Sequence, residues 1–458
     1  MEANKQDEKK HDAGSEFDEI ANEKKDFVNN EEDEVVATNA NQNRPENELN
    51  IEELYHFKDS TWESLGLKED LIKGLLEMGF VKPSKIQATA FPLVMKPSHS
   101  HLIAQSHNGS GKTGAFGISV ISRVDESLSD IQAVIFAHTR ELVNQLGRNI
   151  QKMAKHTKLI VTALTNDKNN DSLGQIIVTT PGNFDNKFLK NRRNPPSLDK
   201  LAILVLDEAD FMISNDLTKS ICEKAFKFFK EKNLKVQVLF FSATFEDEHF
   251  KEITKHFKKA NMIEVKKELL TLKNVRQMYI CCANSEDKIN KIEEYLKRNI
   301  EQERVLIFVN TRDFTEKLTM NLRQRGYKVF LLMGGNMDPA ERDGTIEKFT
   351  KGEIQILITT NILARGFDER LVKLIINFDL PITMDANHQK LPDFETYLHR
   401  IGRTGRFGTH GIGLSLCSGE RDVQVIKGIE KFYNSNIEEI KSMDDLIEEF
   451  KKLLADKF

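Results

Sequence analysis

Leu201-Ala202-Ile203-Leu204-Val205-Leu206-Asp207-Glu208-Ala209-Asp210 sets an unbroken apolar run against a cluster of carboxylates. The run is too short for a core helix and lacks polar alternation, so it reads as a strand buried on both faces. Residues 101–105 (HLIAQ), 133–137 (AVIFA), 175–179 (QIIVT) and 236–241 (VQVLFF) share that character. Between them lie stretches of helical period, such as Arg140–Met153 and Ile221–Phe229. Short buried strands alternating with amphipathic helices specify an α/β fold with a parallel sheet covered on both sides. Ligands of such sheets bind beyond the carboxyl ends of the strands. Asp207, Glu208 and Asp210 fall at such an end.

The pattern repeats downstream. Residues 277–282 (QMYICC), 305–309 (VLIFV), 329–333 (VFLLM), 354–359 (IQILIT), 374–380 (LIINFDL) and 413–417 (GLSLC) are again strand-like, with helical stretches such as Ile289–Leu296 and Glu341–Phe349 between them. The polar segment 266–275 reads as a linker, which gives a first domain over 58–265 and a second over 276–458. The 458-residue length suits two or three domains at about 100–200 residues each.

Ahead of both domains, residues 1–50 hold 15 Asp+Glu against 6 Lys+Arg, including the run Glu31-Glu32-Asp33-Glu34. So acidic a stretch, with few apolar residues, cannot offset its ordering entropy, so 1–57 is expected to be a disordered tail. The overall charge of -5 thus combines a tail at -9 with a mildly basic body at +4, and the total argues neither for nor against nucleic acid. The longest apolar runs fall far short of the ~18 residues of a membrane helix. No apolar h-region opens the chain, so no secretory signal is expected. Cys222, Cys281, Cys282 and Cys417 form no C-x-x-C pair, which fits a reducing compartment.

The strand at 101–105 runs into Ser106-His107-Asn108-Gly109-Ser110-Gly111-Lys112-Thr113 and then a helix-like segment. Glycines let backbone amides wrap an anion, the helix start adds its dipole, a lysine suits β/γ-phosphates and a Thr hydroxyl suits Mg²⁺. The pattern is a variant of G-x-x-x-x-G-K-[ST], with Ser106 in the first glycine position. A glycine-rich turn without a ligand is the alternative. A nucleotide site also needs a carboxylate on a neighbouring strand for the metal, held through water, and Asp207 is so placed; Glu208 would then orient the attacking water. An acidic tetrapeptide alone would more often be a solvated turn.

Asp207–Asp210 spells D-E-A-D, and over residues ~55–458 the chain resembles the DEAD-box RNA helicases of superfamily 2. Gly79–Gln87 is similar to the family's Q motif, with Trp62 as the upstream aromatic, which implies Phe80 stacking on adenine and Gln87 reading its edge. Read alone, Phe80 would be ordinary core and Gln87 a helix-surface residue. Ser242-Ala243-Thr244 matches the motif that links the D-E-A-D carboxylates to the other lobe, so Asp210, Ser242, Thr244 and His399 are expected to couple the two. Gly109, Ser110, Gly111, Lys112 and Thr113 would bind ATP, and Gly366 and Asp368, within Ala364–Asp368, would meet its ribose. His399-Arg400-Ile401-Gly402-Arg403-Thr404-Gly405-Arg406 looks like the arginine-finger segment. Arg403 and Arg406 are expected on one helical face, neutralising transition-state charge.

The same resemblance places Arg140, Thr180, Gly182, Thr311, Arg342 and Thr360 on RNA sugar-phosphate. Hydroxyls, helix starts and a few arginines bind phosphate without reading bases, so little sequence specificity is expected. Family members ordinarily have Pro where His138 stands, Arg where Asn183 stands, His-Gly-Asp at Gly334-Gly335-Asn336 and a Gly-Gly motif near Leu164–Asp171.

Leu54-Tyr55, Lys82–Gln87, the Pro97 loop and the insertion Asn387–Asp393 resemble one branch, the mRNA-export helicases of the nuclear pore. That branch implies a monomer acting on messenger ribonucleoprotein at the nuclear rim and in the cytoplasm. It also implies a pore β-propeller docking partner and an activator that works with an inositol phosphate. The expected activity is RNA-dependent ATP hydrolysis with local strand separation. The competing readings are a slow-hydrolysing RNA clamp, a helicase of another pathway and a DNA translocase. The tail's carboxylates are expected to compete with RNA for the cleft.

Overall fold

The structure, a computed structural model, describes residues 35–39, 60–106, 109–165, 173–191, 193–245, 247–265, 274–298, 304–333, 337–361, 372–384, 390–405 and 410–455. The chain divides near residue 270 into two compact units.

The first unit carries β1 (Val35–Asn39), β2 (Leu102–Gln105), β3 (Ala133–Phe136), β4 (Val161–Leu164), β5 (Ile176–Thr179), β6 (Ile203–Asp207), β7 (Gln237–Ser242) and β8 (Asn261–Val265). They form one sheet in the order β1-β8-β2-β7-β6-β3-β5-β4. All the pairings are parallel except the edge pair β1–β8. Alternate residues enter opposite cores. Leu102, Ala104, Ile135, Val205 and Phe241 pack into one, and Ile103, Val134, Phe136, Leu204 and Phe240 into the other. That two-sided burial is why these strands read as continuous apolar runs.

Strand β1 corrects the expectation of a wholly disordered tail. Val35–Asn39 pairs antiparallel with β8, from Val35↔Val265 to Asn39↔Asn261. Acidic composition averaged over 50 residues hides a local Val-Val-Ala-Thr stretch of high β-propensity, and the sheet edge at β8 offers it unpaired backbone groups.

The second unit carries β9 (Val275–Cys282), β10 (Arg304–Phe308), β11 (Val329–Leu332), β12 (Ile356–Thr359), β13 (Val372–Asn377), β14 (Ile382–Met384), β15 (Lys390–Pro392), β16 (Gly411–Ser418) and β17 (Glu438–Ile440). Its main sheet runs β11-β12-β10-β13-β16-β9-β17, all parallel, and β14 and β15 form a separate antiparallel pair, of which β15 falls within the insertion Asn387–Asp393. Strand β9 begins at Val275, one residue before the expected start of the second domain. The chain is therefore α/β with two parallel-sheet units in tandem. Among the described residues, no helix is long and apolar enough to cross a membrane.

Candidate active site

Strands β2, β7 and β6 are neighbours, so the segments at their carboxyl ends meet at one edge of the sheet. Gln105 pairs with Ser242, Asp207 with Phe241, and the Ser106 amide donates to the Ser242 carbonyl (3.0 Å). The order puts the strand of Ser242-Ala243-Thr244 between the glycine-rich loop and the carboxylates.

The loop after β2 closes through two left-handed glycines, Gly109 (φ +82°) and Gly111 (φ +99°), conformations that suit a residue without Cβ. Lys112 opens the helix Lys112–Arg123, is buried, and donates from Nζ to the Ser106 carbonyl (2.7 Å). Among the described residues, Ser110 Oγ is buried without a hydrogen-bond partner. A buried ammonium, an unsatisfied hydroxyl and a helix N-terminus are the groups that a phosphate chain requires.

Gln87 supports this loop from below. Its Oε1 accepts from the Ser84 amide (2.8 Å) and its Nε2 donates to the Gly111 carbonyl (3.1 Å). A Cβ at Gly111 would lie 2.6 Å from Gln87 Nε2, and one at Gly114 only 2.2 Å, so both glycines are required by this side chain. The amide expected at a base edge thus spends half of its bonding capacity on the loop backbone, keeping one N–H and one lone pair. Trp62 is core, and its Nε1 donates to the Phe80 carbonyl (2.8 Å). Phe80 is half-buried, packed on one side against the same core. Trp62 thus anchors the Phe80 backbone, while the ring keeps one side against the core.

At the end of β6, Asp207, Glu208 and Asp210 are all buried. Burial, and next the charge of Glu208, push the Asp207 carboxyl up to about 8, while Lys112 pulls it down. Charge this concentrated and this dry, made of hard oxygen ligands, fits a divalent cation such as Mg²⁺, with the Thr113 hydroxyl as the other donor expected there. Glu208 itself is left-handed (φ +55°, ψ +52°). A non-glycine residue held there carries strain of the kind found at functional turns. The Thr244 hydroxyl donates to Asp210 Oδ2 (2.8 Å), and the Thr244 amide to Ser242 Oγ (3.1 Å). The resemblance implies that these hydroxyls link the carboxylates to the other lobe; the direct bond from Thr244 to Asp210 lies within the first unit.

Farther along the same edge, β3 and β5 are adjacent. Thr139 caps the helix Arg140–Met153, accepting from the Leu142 amide, and Thr180 caps Pro181–Phe184, accepting from the Asn183 amide. Two helix starts, with Arg140 on one and Gly182 on the other, are thereby set side by side. The space around a Cβ at Gly182 is open. Asn183, where relatives have Arg, donates instead to the Leu164 carbonyl (3.3 Å), and the His138 ring packs against Phe211 at 5.0 Å.

In the second unit, Thr311 follows β10 and caps Arg312–Gln324, and Thr360 follows β12 next to it in the sheet. Arg342 lies on Pro339–Lys351. His399 and Arg403 are buried, and Arg403 Nε donates to the His399 carbonyl (3.1 Å). The expectation of two arginines on one helical face is corrected here: the helix Phe394–Ile401 ends before Arg403, with Gly402 at its C-cap. Gly405 turns left-handed (φ +67°), where a Cβ would meet Val275 Cγ2 at 2.6 Å. The glycines thus make a turn packed on the start of β9. Arg406, Gly366 and Asp368 lie outside the described residues. Arg400, which sequence reasoning did not single out, is fully buried; its position beside His399 was the only available signal.

Two tandem RecA-like units, the first with its phosphate loop and its carboxylate strand flanking a central strand, define a nucleoside-triphosphatase of the helicase type. The family model for the DEAD/DEAH box helicase matches residues 84–253, and that for the helicase conserved C-terminal domain matches 287–408. The DEAD-box ATP-dependent RNA helicase 38 of Arabidopsis thaliana is 37% identical over 408 residues, 87% of this chain and 81% of that protein. S. cerevisiae Dbp5 bound to RNA and ADP BeF3 is 35% identical, with a TM-score of 0.78, 86% of this chain and 100% of that one covered. A Dbp5 variant bound to Nup159, a Gle1 variant, IP6 and ADP is 33% identical, with a TM-score of 0.59, covering 85% of this chain and 100% of that one. The chain belongs to the DEAD-box ATP-dependent RNA helicases: it binds ATP and is an RNA-dependent ATPase.

Proposed function

We propose that this helicase remodels messenger ribonucleoprotein during mRNA export, acting at the nuclear-pore rim and in the cytoplasm. The observation that carries the reading is the likeness, over 86% of this chain, to Dbp5, which has been captured with RNA and, as a variant, with Nup159, a Gle1 variant and IP6. A docking protein of the Nup159 kind and an activator of the Gle1 kind are the corresponding partners.

At the first site, Gly109, Ser110, Gly111, Lys112 and Thr113 hold the ATP phosphates, Phe80 stacks on adenine, and Gln87 shapes the loop while offering its remaining N–H to the base. Thr113 and, through water, Asp207 would hold Mg²⁺, which when bound would supply positive charge against the phosphates. Glu208, fixed in its strained turn, accepts the proton of the attacking water. Asp210, Thr244, Ser242 and His399 transmit the nucleotide state. Gly366 and Asp368 take the ribose, and Arg403 and Arg406 stabilise the charge that develops on the γ-phosphate. RNA lies on Arg140, Thr180, Gly182, Thr311, Arg342 and Thr360, bound through sugar-phosphate.

The test is a pull-down of the full chain with a Nup159-type β-propeller, alongside ATPase assays with RNA, with and without a Gle1-type activator and IP6. Capture and activator-dependent stimulation are expected. RNA-stimulated hydrolysis with neither would assign the enzyme to another pathway.

A further inference from the structure

We infer that Arg400 is a positioning residue that ties the RNA-contact segments of the second unit to the turn carrying Arg403, so that bound RNA is felt at the arginine finger; this rests on the RNA reading above. Its guanidinium is fully buried and offers five N–H donors. Nε donates to Asn361 Oδ1 (2.9 Å), and Nη2 to the same oxygen (2.6 Å) and to Asn310 Oδ1 (2.8 Å). Nη1 donates to the Asp379 carbonyl (2.7 Å) and Asn377 Oδ1 (3.3 Å). Five donors thus meet acceptors at the carboxyl ends of three strands: Asn310 after β10, Asn361 after β12, and Asn377 and Asp379 at and after the end of β13. The cation also lies over the Phe308 ring, 5.2 Å from its centre.

The acceptors are neutral. Burial lowers the guanidinium to about 10, against the opposing pull of Asp379 and Asp393. Only a planar fork that stays charged when dry can serve such a set; a lysine ammonium has three donors radiating from one point. The partners decide the role. Asn310 immediately precedes Thr311, and Asn361 immediately follows Thr360, both expected RNA contacts. Asn310 is held further by its amide on Asp379 Oδ2 (2.9 Å) and its Nδ2 on the Leu380 carbonyl (2.9 Å). On the other side, the Arg400 carbonyl accepts from the Arg403 amide (3.1 Å). One residue therefore binds both RNA segments with its side chain and the finger turn with its backbone. A shift of either segment on RNA binding is passed to the turn without an intermediary.

The test compares wild type, Arg400→Lys and Asn361→Ala as full chains, measuring ATPase against RNA concentration, fluorescent-nucleotide binding and thermal midpoints. The expected result is that the ratio of RNA-stimulated to unstimulated rate falls about tenfold and half-saturating RNA rises, while nucleotide affinity changes less than about twofold. Asn361 is exposed, so Asn361→Ala carries the test if Arg400→Lys does not fold. Equal falls in the stimulated and unstimulated rates, leaving the ratio intact, would reduce Arg400 to a structural role and overturn the inference. A wild-type enzyme that RNA does not stimulate would instead overturn the RNA reading beneath it.

Discussion

Gly114→Ala offers a substitution whose sign depends on one neighbour. In an exposed helix, Gly→Ala stabilises by about 1 kcal/mol. At position 114 the new methyl would lie 2.2 Å from Gln87 Nε2 and 3.2 Å from its Cδ, and the three nearest atoms all belong to Gln87. Gln87 is buried and cannot yield without breaking its bonds to the Ser84 amide and the Gly111 carbonyl. Two such bonds, each worth about 1 kcal/mol net, with their partners left dry, amount to roughly 2–4 kcal/mol. The net expectation is destabilisation by about 1–3 kcal/mol, together with weaker ATP binding because the loop loses its support. In a Gln87→Ala background the obstructing atoms are gone, and the same Gly114→Ala change should become neutral or stabilising by up to about 1 kcal/mol. Calorimetric melting of the four proteins of this cycle reads the difference, following the transition of the first unit. Equal destabilisation by Gly114→Ala in both backgrounds would refute the claim that Gln87 dictates the glycine.

Other expectations concern chemistry. Glu208→Gln should keep ATP and RNA binding while slowing steady-state turnover at least about a hundredfold, within the range ascribed to general base catalysis; an unchanged kcat would remove the water-activating role. Arg403→Ala should lower kcat more than nucleotide affinity, whereas equal losses would mark plain binding. Phe80→Ala should weaken ATP but not inorganic pyrophosphate in competition binding, and no difference between the two would remove the stacking claim. Native alkylation near neutral pH should modify Cys281, the exposed thiol, slowly, because burial and Glu439 raise it. Cys222, buried and pushed up to about 12, and Cys282, pushed up to about 11, should react only after unfolding, as read by mass spectrometry.

Local pattern determined the α/β class, the tandem units and the glycine-rich loop, because strands buried on both faces must be apolar throughout and a phosphate loop needs its residue types in fixed order. The helix Arg140–Met153 was likewise legible from its period alone. The short strands β4, β14, β15 and β17 carry no such run, and β1 is masked by the acidic residues around it. What only tertiary structure decided are relations between residues distant in sequence. Gln87 turns its amide to a loop 24 residues away. Thr244 reaches Asp210. The arginine helix stops at Ile401 because Gly405 and Thr404 are committed elsewhere, the one packed against Val275 and the other donating to the Val372 carbonyl. Arg400 reads in sequence as one more basic residue. Its role follows from the register of β10, β12 and β13, which brings Asn310, Asn361, Asn377 and the Asp379 carbonyl around a single guanidinium. Spacing along a chain fixes which groups a loop or helix can present, while the order of strands in the sheet fixes which of those groups meet.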